Sequence, residues 1–458
     1  MKHLKSIALV TALCVLCTLL PATVLAAENV ELIFWTPLTS NADKAVQETL
    51  IDTFQKENPD ISITVEYVSH SDWYTRWMTA IMNDDCPDMC QLDQSEVSWL
   101  VAQDIIAPMD DLFAKMDPDG TDFANATAAV NSARGGDGNL YGIPFSVNIN
   151  CLWTRQDLLE EAGIDPYSIK TWDDLDSAMA AIEGDGITAM GMALAREQCA
   201  QQQLFIWSYA NGAYYFDPQT GAYLLNQEDT KVKIIEAMEY IKKLFDNGQL
   251  PSGVSNWKWA DYRTAMANGE LGFTSSWGGD IGIAAEVNPD MLSNLCVIAH
   301  PTGPSTTDTA IHDFGGWYWS VTKTEDAAKQ AAVEKWIEFV YQPDNVALET
   351  TARPVYNIPV MQSVLESPIF KNDPVTAMFL DDISYIMENI LPHCTRVGFE
   401  AGPSVLAGQI SATLFASDAF QAYLFNGMPI EEAYNMLDKG FQDLMVEYSY
   451  PIEGPYAK

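Results

Sequence analysis

Positive charge is scarce in this chain. Against 63 Asp and Glu it carries 24 Lys and Arg and 5 His, a net charge of −39 at pH 7. Such a surface repels nucleic-acid phosphates and anionic lipid headgroups, so neither is expected as a partner. With so few histidines, none of them near a Cys-x-x-Cys pair, a zinc site is not expected. The run Asp117–Asp122 resembles a calcium loop only faintly, because the distal bidentate Glu is missing. Nucleophile-elbow, metalloprotease and phosphate-loop motifs are absent, and Gly135-Gly136-Asp137-Gly138 reads as a turn. No cofactor and no metal are called for. Internal repeats and low-complexity tracts are absent as well.

Long apolar runs are equally rare. The one candidate lies at the N-terminus, where Lys2, His3 and Lys5 precede an apolar stretch from Ile7 to Leu20. Pro21 breaks it, and Val24-Leu25-Ala26 presents small residues at a cleavage site. The stretch falls short of the roughly 20 residues needed to span a bilayer. It predicts a signal peptide over 1–26, cleaved after Ala26, and a periplasmic product. Cys14 and Cys17 lie inside the stretch, so no lipid-bearing cysteine opens the mature chain. Six cysteines remain: Cys86, Cys90, Cys151, Cys199, Cys296 and Cys394. An oxidising compartment permits pairing, and the close pair Cys86 and Cys90 is the expected bridge.

What remains suffices for two cores. Val30–Trp35 and Ile61–Tyr67 read as strands around a helix from Asn41 to Asn58 (Ala45, Leu50, Ile51, Phe54), a strand-helix-strand unit that predicts a parallel sheet. Tyr74–Met82 reads as a helix and Pro87–Leu92 as a strand. Gly138–Leu152 reads as one strand running through Pro144. Thr171 with Asp174 forms a capping box. Lys231–Phe245 and Ala327–Tyr341 are amphipathic helices, and helices dominate beyond about residue 320.

Several ordered segments now resemble one family. They include Phe34-Trp35-Thr36-Pro37, Phe54-Gln55-Lys56-Glu57-Asn58-Pro59, Leu140-Tyr141-Gly142-Ile143-Pro144-Phe145 and Thr171-Trp172-Asp173-Asp174-Leu175. In this order they resemble the family-one extracellular solute-binding proteins of ABC importers, which include the maltodextrin receptors. The resemblance implies an α/β, two-lobe periplasmic-binding-protein clamshell with hinge crossings and a helical C-terminal part. It places lobe 1 at 27–147 plus about 298–322, and lobe 2 at about 151–295 plus about 325–458. Crossings are expected near 146–151, 296–301 and 321–326. The implied function is non-catalytic: a monomer that binds a mono- or oligosaccharide in the interlobe cleft and delivers it to ABC permease subunits.

Sugar recognition needs flat apolar faces for ring C–H groups and planar polar groups for hydroxyls. Trp277, in a turn after an apolar run, matches the family position that stacks on sugar. Trp317 follows Gly315-Gly316, and bare backbone at Gly316 allows close approach. Trp73 and Tyr74 follow a strand end, where clefts of such sheets open. Trp207 precedes Ala210-Asn211-Gly212. The polar candidates are Thr39, Asn41, Asp93, Ser95, Asn148, Gln202 and Arg353, with Tyr356 beside them. Two rivals stay open. The same fold could bind a polyamine, glycerol phosphate or iron, for which Tyr214-Tyr215, expected at the surface, is a nominal match. A secreted glycoside hydrolase would need two suitably spaced carboxylates.

Overall fold

The computed structural model describes residues 29–69, 72–184 and 186–455. The predicted signal peptide lies outside them. No helix among the described residues is long and apolar enough to cross a membrane.

The first strand, β1 (Val30–Thr36), buries Leu32 and Phe34 and turns Glu31 outward. The helix Asn41–Glu57 follows, started by a capping box in which Ser40 and Asp43 satisfy each other's backbone N–H. It buries Leu50, Ile51 and Phe54, ends before Pro59, and leaves Ala45 exposed. β2 (Ile61–Tyr67) then returns parallel to β1, as a helical crossover requires. After the helix Trp73–Asn83 comes β3 (Met89–Asp93), also parallel to β1.

The stretch read as one strand through Pro144 is two. β4 (Ile143–Ile149) belongs to the first sheet and β5 (Cys151–Arg155) to the second, with Asn150 between them. Both are wholly buried, so their hydrophobicity alone could not reveal the change of sheet. β6 (Thr188–Gly191), β7 (Leu271–Ser276) and β8 (Leu295–Ile298) complete the second sheet, in the order β6-β7-β5-β8. The chain then recrosses. β9 (His312–Val321) inserts antiparallel between β3 and β4. β10 (Ile358–Pro359) pairs with β4, and β11 (Cys394–Thr395) with β9.

The C-terminal assignment needs correction. The helix Ala327–Val340 packs on β1, and the helix Pro343–Thr351 on the helix Asn41–Glu57. The chain therefore stays with the first sheet after about 325 instead of crossing. Its buried apolar residues join the second core only from Val397, through Leu406, Phe420 and Phe441. Amphipathic helices carry no mark of which sheet they cover, so the sequence could not place them.

All six described cysteines are free. The expected Cys86–Cys90 bridge is absent because the chain enters β3 at Met89. Cys90 lies in the extended ladder, its thiol on the Ser320 carbonyl, while Cys86 stays in the irregular segment before it. Burial pushes both thiols up.

Candidate ligand-binding site

Register brings the first wall together. Across β3, β9 and β4, Asp93 pairs with Trp317, Val147 with Gly316, and Asn148 with Gly315. A side chain at Gly315 would put its Cβ 2.6 Å from Asn148 Oδ1, so the bare backbone makes room for that amide. Asp93 also caps the helix Gln94–Ala102: its Oδ1 accepts from Ser95 N (2.7 Å) and Glu96 N (2.9 Å). Glu96 returns the bond by accepting from Asp93 N at 2.8 Å. Burial pushes the Glu96 carboxyl well above the ordinary carboxylate range, and neighbouring Asp93 adds to the effect.

The second wall comes from the other sheet. Trp277 follows β7 and meets Trp259 edge to face at 4.8 Å. Gly278, at φ +80°, turns the chain there, and a Cβ would strike the Val355 carbonyl at 2.8 Å. Gln198 and Gln202 project from the start of the helix Gln198–Ala210, and Arg263 from the helix Trp259–Ala267. Tyr356, Arg396, Gly408 and Ser411 close the ends. Together with Tyr74 these residues line one cavity of about 540 Å³. Its size suits a small or short oligomeric ligand.

Nine predicted residues line this cavity: Tyr74, Asp93, Ser95, Asn148, Gln202, Gly316, Trp317, Trp277 and Tyr356. Five do not. Trp73 is fully buried against Trp77, because it starts the helix facing inward while Tyr74, next along, points out. Trp207 sits in the second core among Trp172, Tyr240 and His300, its indole donating to Gln203. Thr39 and Asn41 are exposed at the start of the first helix, away from the cavity lining. Arg353 is held by Asp43, its Nε and Nη2 donating to the carboxylate at 3.1 and 2.5 Å. Tyr215 is no surface residue either: it is fully buried and donates to Ser208.

Sequence reasoning missed Trp259, Arg263 and Arg396. The first two had a signal, since an aromatic and a cation four apart share a helix face. Arg396 sits in irregular chain, where no periodicity points to it.

The joint between the sheets is polar and buried. Asn150 Oδ1 accepts from Ser275 Oγ (2.9 Å) and lies 2.7 Å from His300 Nε2. His300 N in turn donates to His312 Nε2 at 3.0 Å. Each of the two main crossings between β4 and β5 and between β8 and β9 thus contributes to one hydrogen-bonded cluster.

Comparison with known proteins bears on this architecture. An ABC transporter extracellular-binding protein of Pyrococcus horikoshii is 21% identical over 373 residues, 80% of this chain and 78% of the relative. An arabinooligosaccharide-binding protein of Bacillus subtilis is 26% identical over 221 residues, 47% of this chain and 48% of that one. Among solved structures, the sugar-binding protein MalE of Xanthomonas citri superposes with a TM-score of 0.72 at 22% identity, covering 92% of this chain and 98% of its own. That likeness establishes the two-domain periplasmic-binding-protein fold. The family model for bacterial extracellular solute-binding proteins matches residues 36–347, more than half of the chain, and the protein belongs to that family.

Proposed function

We propose that this protein is the extracytoplasmic carbohydrate receptor of an ABC-type importer. It binds a mono- or oligosaccharide between two lobes and hands it to membrane permease subunits. One observation carries the reading. A single cavity draws three tryptophans, Trp259, Trp277 and Trp317, and a set of planar polar groups, Asn148, Gln202, Arg263 and Arg396, from both sheets. Indoles match the C–H faces of sugar rings, and amides and guanidinium groups match their hydroxyl pairs. Ligand contacts with both walls exist only when the walls are close, so binding stabilises a closed form. In this reading one lobe is the sheet of β1–β4, β9 and β10 with the helices over 327–351. The other is the sheet of β5–β8 with the C-terminal helices. The names borne by the Bacillus and Xanthomonas relatives support carbohydrate as the ligand class.

The receptor acts as a monomer in the periplasm after removal of residues 1–26, and it does no chemistry on its ligand. Asp93 and Glu96, the cavity's two carboxyls, stand on one helix start and bond each other's backbone, whereas a glycosidase sets its pair on either side of the scissile bond. The test is a thermal-shift and calorimetric screen of the exported protein against oligosaccharides, spermidine, glycerol phosphate and ferric citrate. A saturable rise in melting temperature with an oligosaccharide is expected, worth about 2.7 kcal/mol at a hundredfold excess over Kd. A shift only with spermidine, glycerol phosphate or ferric citrate overturns the carbohydrate reading. Release of reducing ends overturns the non-catalytic one.

A further inference from the structure

Arginine is the rarest charge in this molecule, and its placement is uneven. The chain has seven. Five meet a carboxylate: Arg76 with Glu66 at 2.9 Å, Arg134 with Asp110 at 3.2 Å, Arg155 with Asp157 at 2.6 Å, Arg353 with Asp43 at 2.5 Å, and Arg196 with Asp418. The other two, Arg263 and Arg396, have no ion pair among the described residues. Both line the interlobe cavity. In a chain with 63 acidic residues, a guanidinium without a carboxylate is the exception. Two such exceptions, from distant parts of the sequence, share one cavity.

Neither is idle by accident of exposure. Arg263 Nε is buried and has no hydrogen-bond partner. Such a group is costly to leave unpaired unless something arrives to pair it. Gly279 keeps its space clear, since a Cβ there would lie 2.4 Å from Arg263 Cζ. The guanidinium carbon stands 5.9 Å from the ring of Trp259, which joins Trp277 in the aromatic wall. Arg396 is partly buried and makes one long contact, Nη1 to the Phe314 carbonyl at 3.4 Å. The acids nearest in effect are Asp280 for Arg263 and Asp313 for Arg396, both fully buried and beyond ion-pair distance. Burial raises both carboxyls, Asp313 to about 6, and neither bonds the guanidinium it faces. Of the lining acids, Glu96 is likewise held toward its neutral form. The lining thus holds two guanidinium groups that no carboxylate engages, while its two carboxyls, Asp93 and Glu96, bond each other's backbone at one helix start.

We propose that the cavity takes an acidic sugar: an oligosaccharide carrying a uronic acid, whose carboxylate is received by Arg263 and Arg396. This rests on the reading of the cavity as a carbohydrate site. A planar carboxylate matches the guanidinium fork, and it supplies the counter-charge that neither guanidinium has in the protein. A polyamine meets the wrong sign.

Calorimetry on the exported protein tests this with trigalacturonate, a glucuronic-acid-bearing xylotriose, their methyl esters, the uncharged galactotriose and xylotriose, and galactose 6-phosphate. One uronate is expected to bind at least about 10-fold tighter than its methyl ester, with an affinity that falls as salt rises. Arg263→Gln and Arg396→Gln should each weaken the acid about 10- to 100-fold and the ester less, so that the ratio of acid to ester affinity falls about 3-fold or more. Equal binding of acid and ester, or preference for the phosphate, overturns the inference while leaving a carbohydrate receptor. Failure of every sugar, charged or neutral, overturns both. If a variant does not fold, the acid-against-ester comparison on the unsubstituted protein still decides.

Discussion

Two cavities of similar volume can be set side by side. The interlobe cavity holds about 540 Å³. A second, of about 610 Å³, lies wholly on the second lobe between the helix Trp172–Ile182, the helix Glu228–Asp246 and the segment Thr302–Thr307. The second is the more acidic, and two of its four carboxylates, Asp176 and Glu236, are already engaged. Asp176 accepts from the Tyr240 hydroxyl (3.0 Å) and from Lys243 (2.5 Å). Glu236 accepts from Asn211 (2.7 Å) and Ser305 (2.5 Å). Trp172, which lines it, is stacked on Tyr240 at 4.3 Å and is core. The interlobe cavity keeps its arginines out of ion pairs and draws on both sheets. Volume does not separate the two, but unengaged guanidinium groups and walls drawn from both sheets do.

The pair Trp172→Ala and Trp277→Ala breaks this comparison or sharpens it. Trp172→Ala removes a buried ring from the second core and should cost about 3–5 kcal/mol of unfolding free energy in urea. The affinity of the surviving folded protein for its sugar should not change. Trp277→Ala should act in the opposite sense, losing about 2–4 kcal/mol of sugar binding in calorimetry, as a buried aromatic anchor does. Loss of sugar affinity in folded Trp172→Ala would show that the second cavity takes part in ligand capture and that the distinction fails.

Much of this was legible in the sequence, for reasons that differ by residue. β1, β2 and the helix between them follow from period alone, and the Thr171–Asp174 capping box is a local chemical signature that forms as expected. Trp277 and Gly316 could be singled out because an apolar strand or a glycine pair frames them. The sheet change at Asn150 was hidden, because both flanking strands are buried on every side. Trp73 and Tyr74 look equivalent in sequence. Which of two adjacent aromatics faces the cavity is fixed by the helix's rotation against Trp77, a tertiary fact. Arg353 failed because whether an arginine is spent on a carboxylate, here Asp43, depends on a partner 310 residues away, and Arg396 was overlooked because it lies in irregular chain.

The interlobe cavity depends on how two lobes meet, and the second cavity does not, so the joint provides the next contrast. Asn150→Ala deletes the acceptor of Ser275 Oγ and His300 Nε2. Buried donors left without acceptors cost about 1–3 kcal/mol each, partly relieved by relaxation, so a loss of about 2 kcal/mol is expected. Urea unfolding measures it. A loss within about 0.5 kcal/mol, the usual range for substitutions away from such networks, would mean that the cluster does not hold the crossings.

Acid gives the mildest probe of the same joint. His312 is buried, and burial depresses its imidazole from the ordinary 6.5 to about 3, with nearby His393 adding to the effect. Its Nε2 accepts the His300 backbone N–H, which requires that nitrogen to be unprotonated. The native state therefore holds this ring neutral between pH 6.5 and 3, while the unfolded chain protonates it below 6.5. The unfolded state binds more protons in that window, so the contribution is intact above pH 6.5 and is lost as pH falls. The slope is about 1.4 kcal/mol per pH unit for one ring. His300, also depressed by burial, adds in the same direction. Asp313, raised to about 6, works against them, because a carboxyl held protonated in the native state favours folding in acid. The bare acid profile of the protein is thus a sum of opposing signs, and only a difference isolates the ring. Urea unfolding of the parent and of His312→Gln at pH 6.5, 5.5 and 4.5 supplies it. The gap between the two should close by about 1.4 kcal/mol per unit as pH falls. Because His312 opens β9, the strand that carries Gly315, Gly316 and Trp317 to the cavity, a parallel acid weakening of sugar binding should shrink in the variant. A constant gap would place the charge-sensitive element elsewhere and detach the cavity's acid response from its joint.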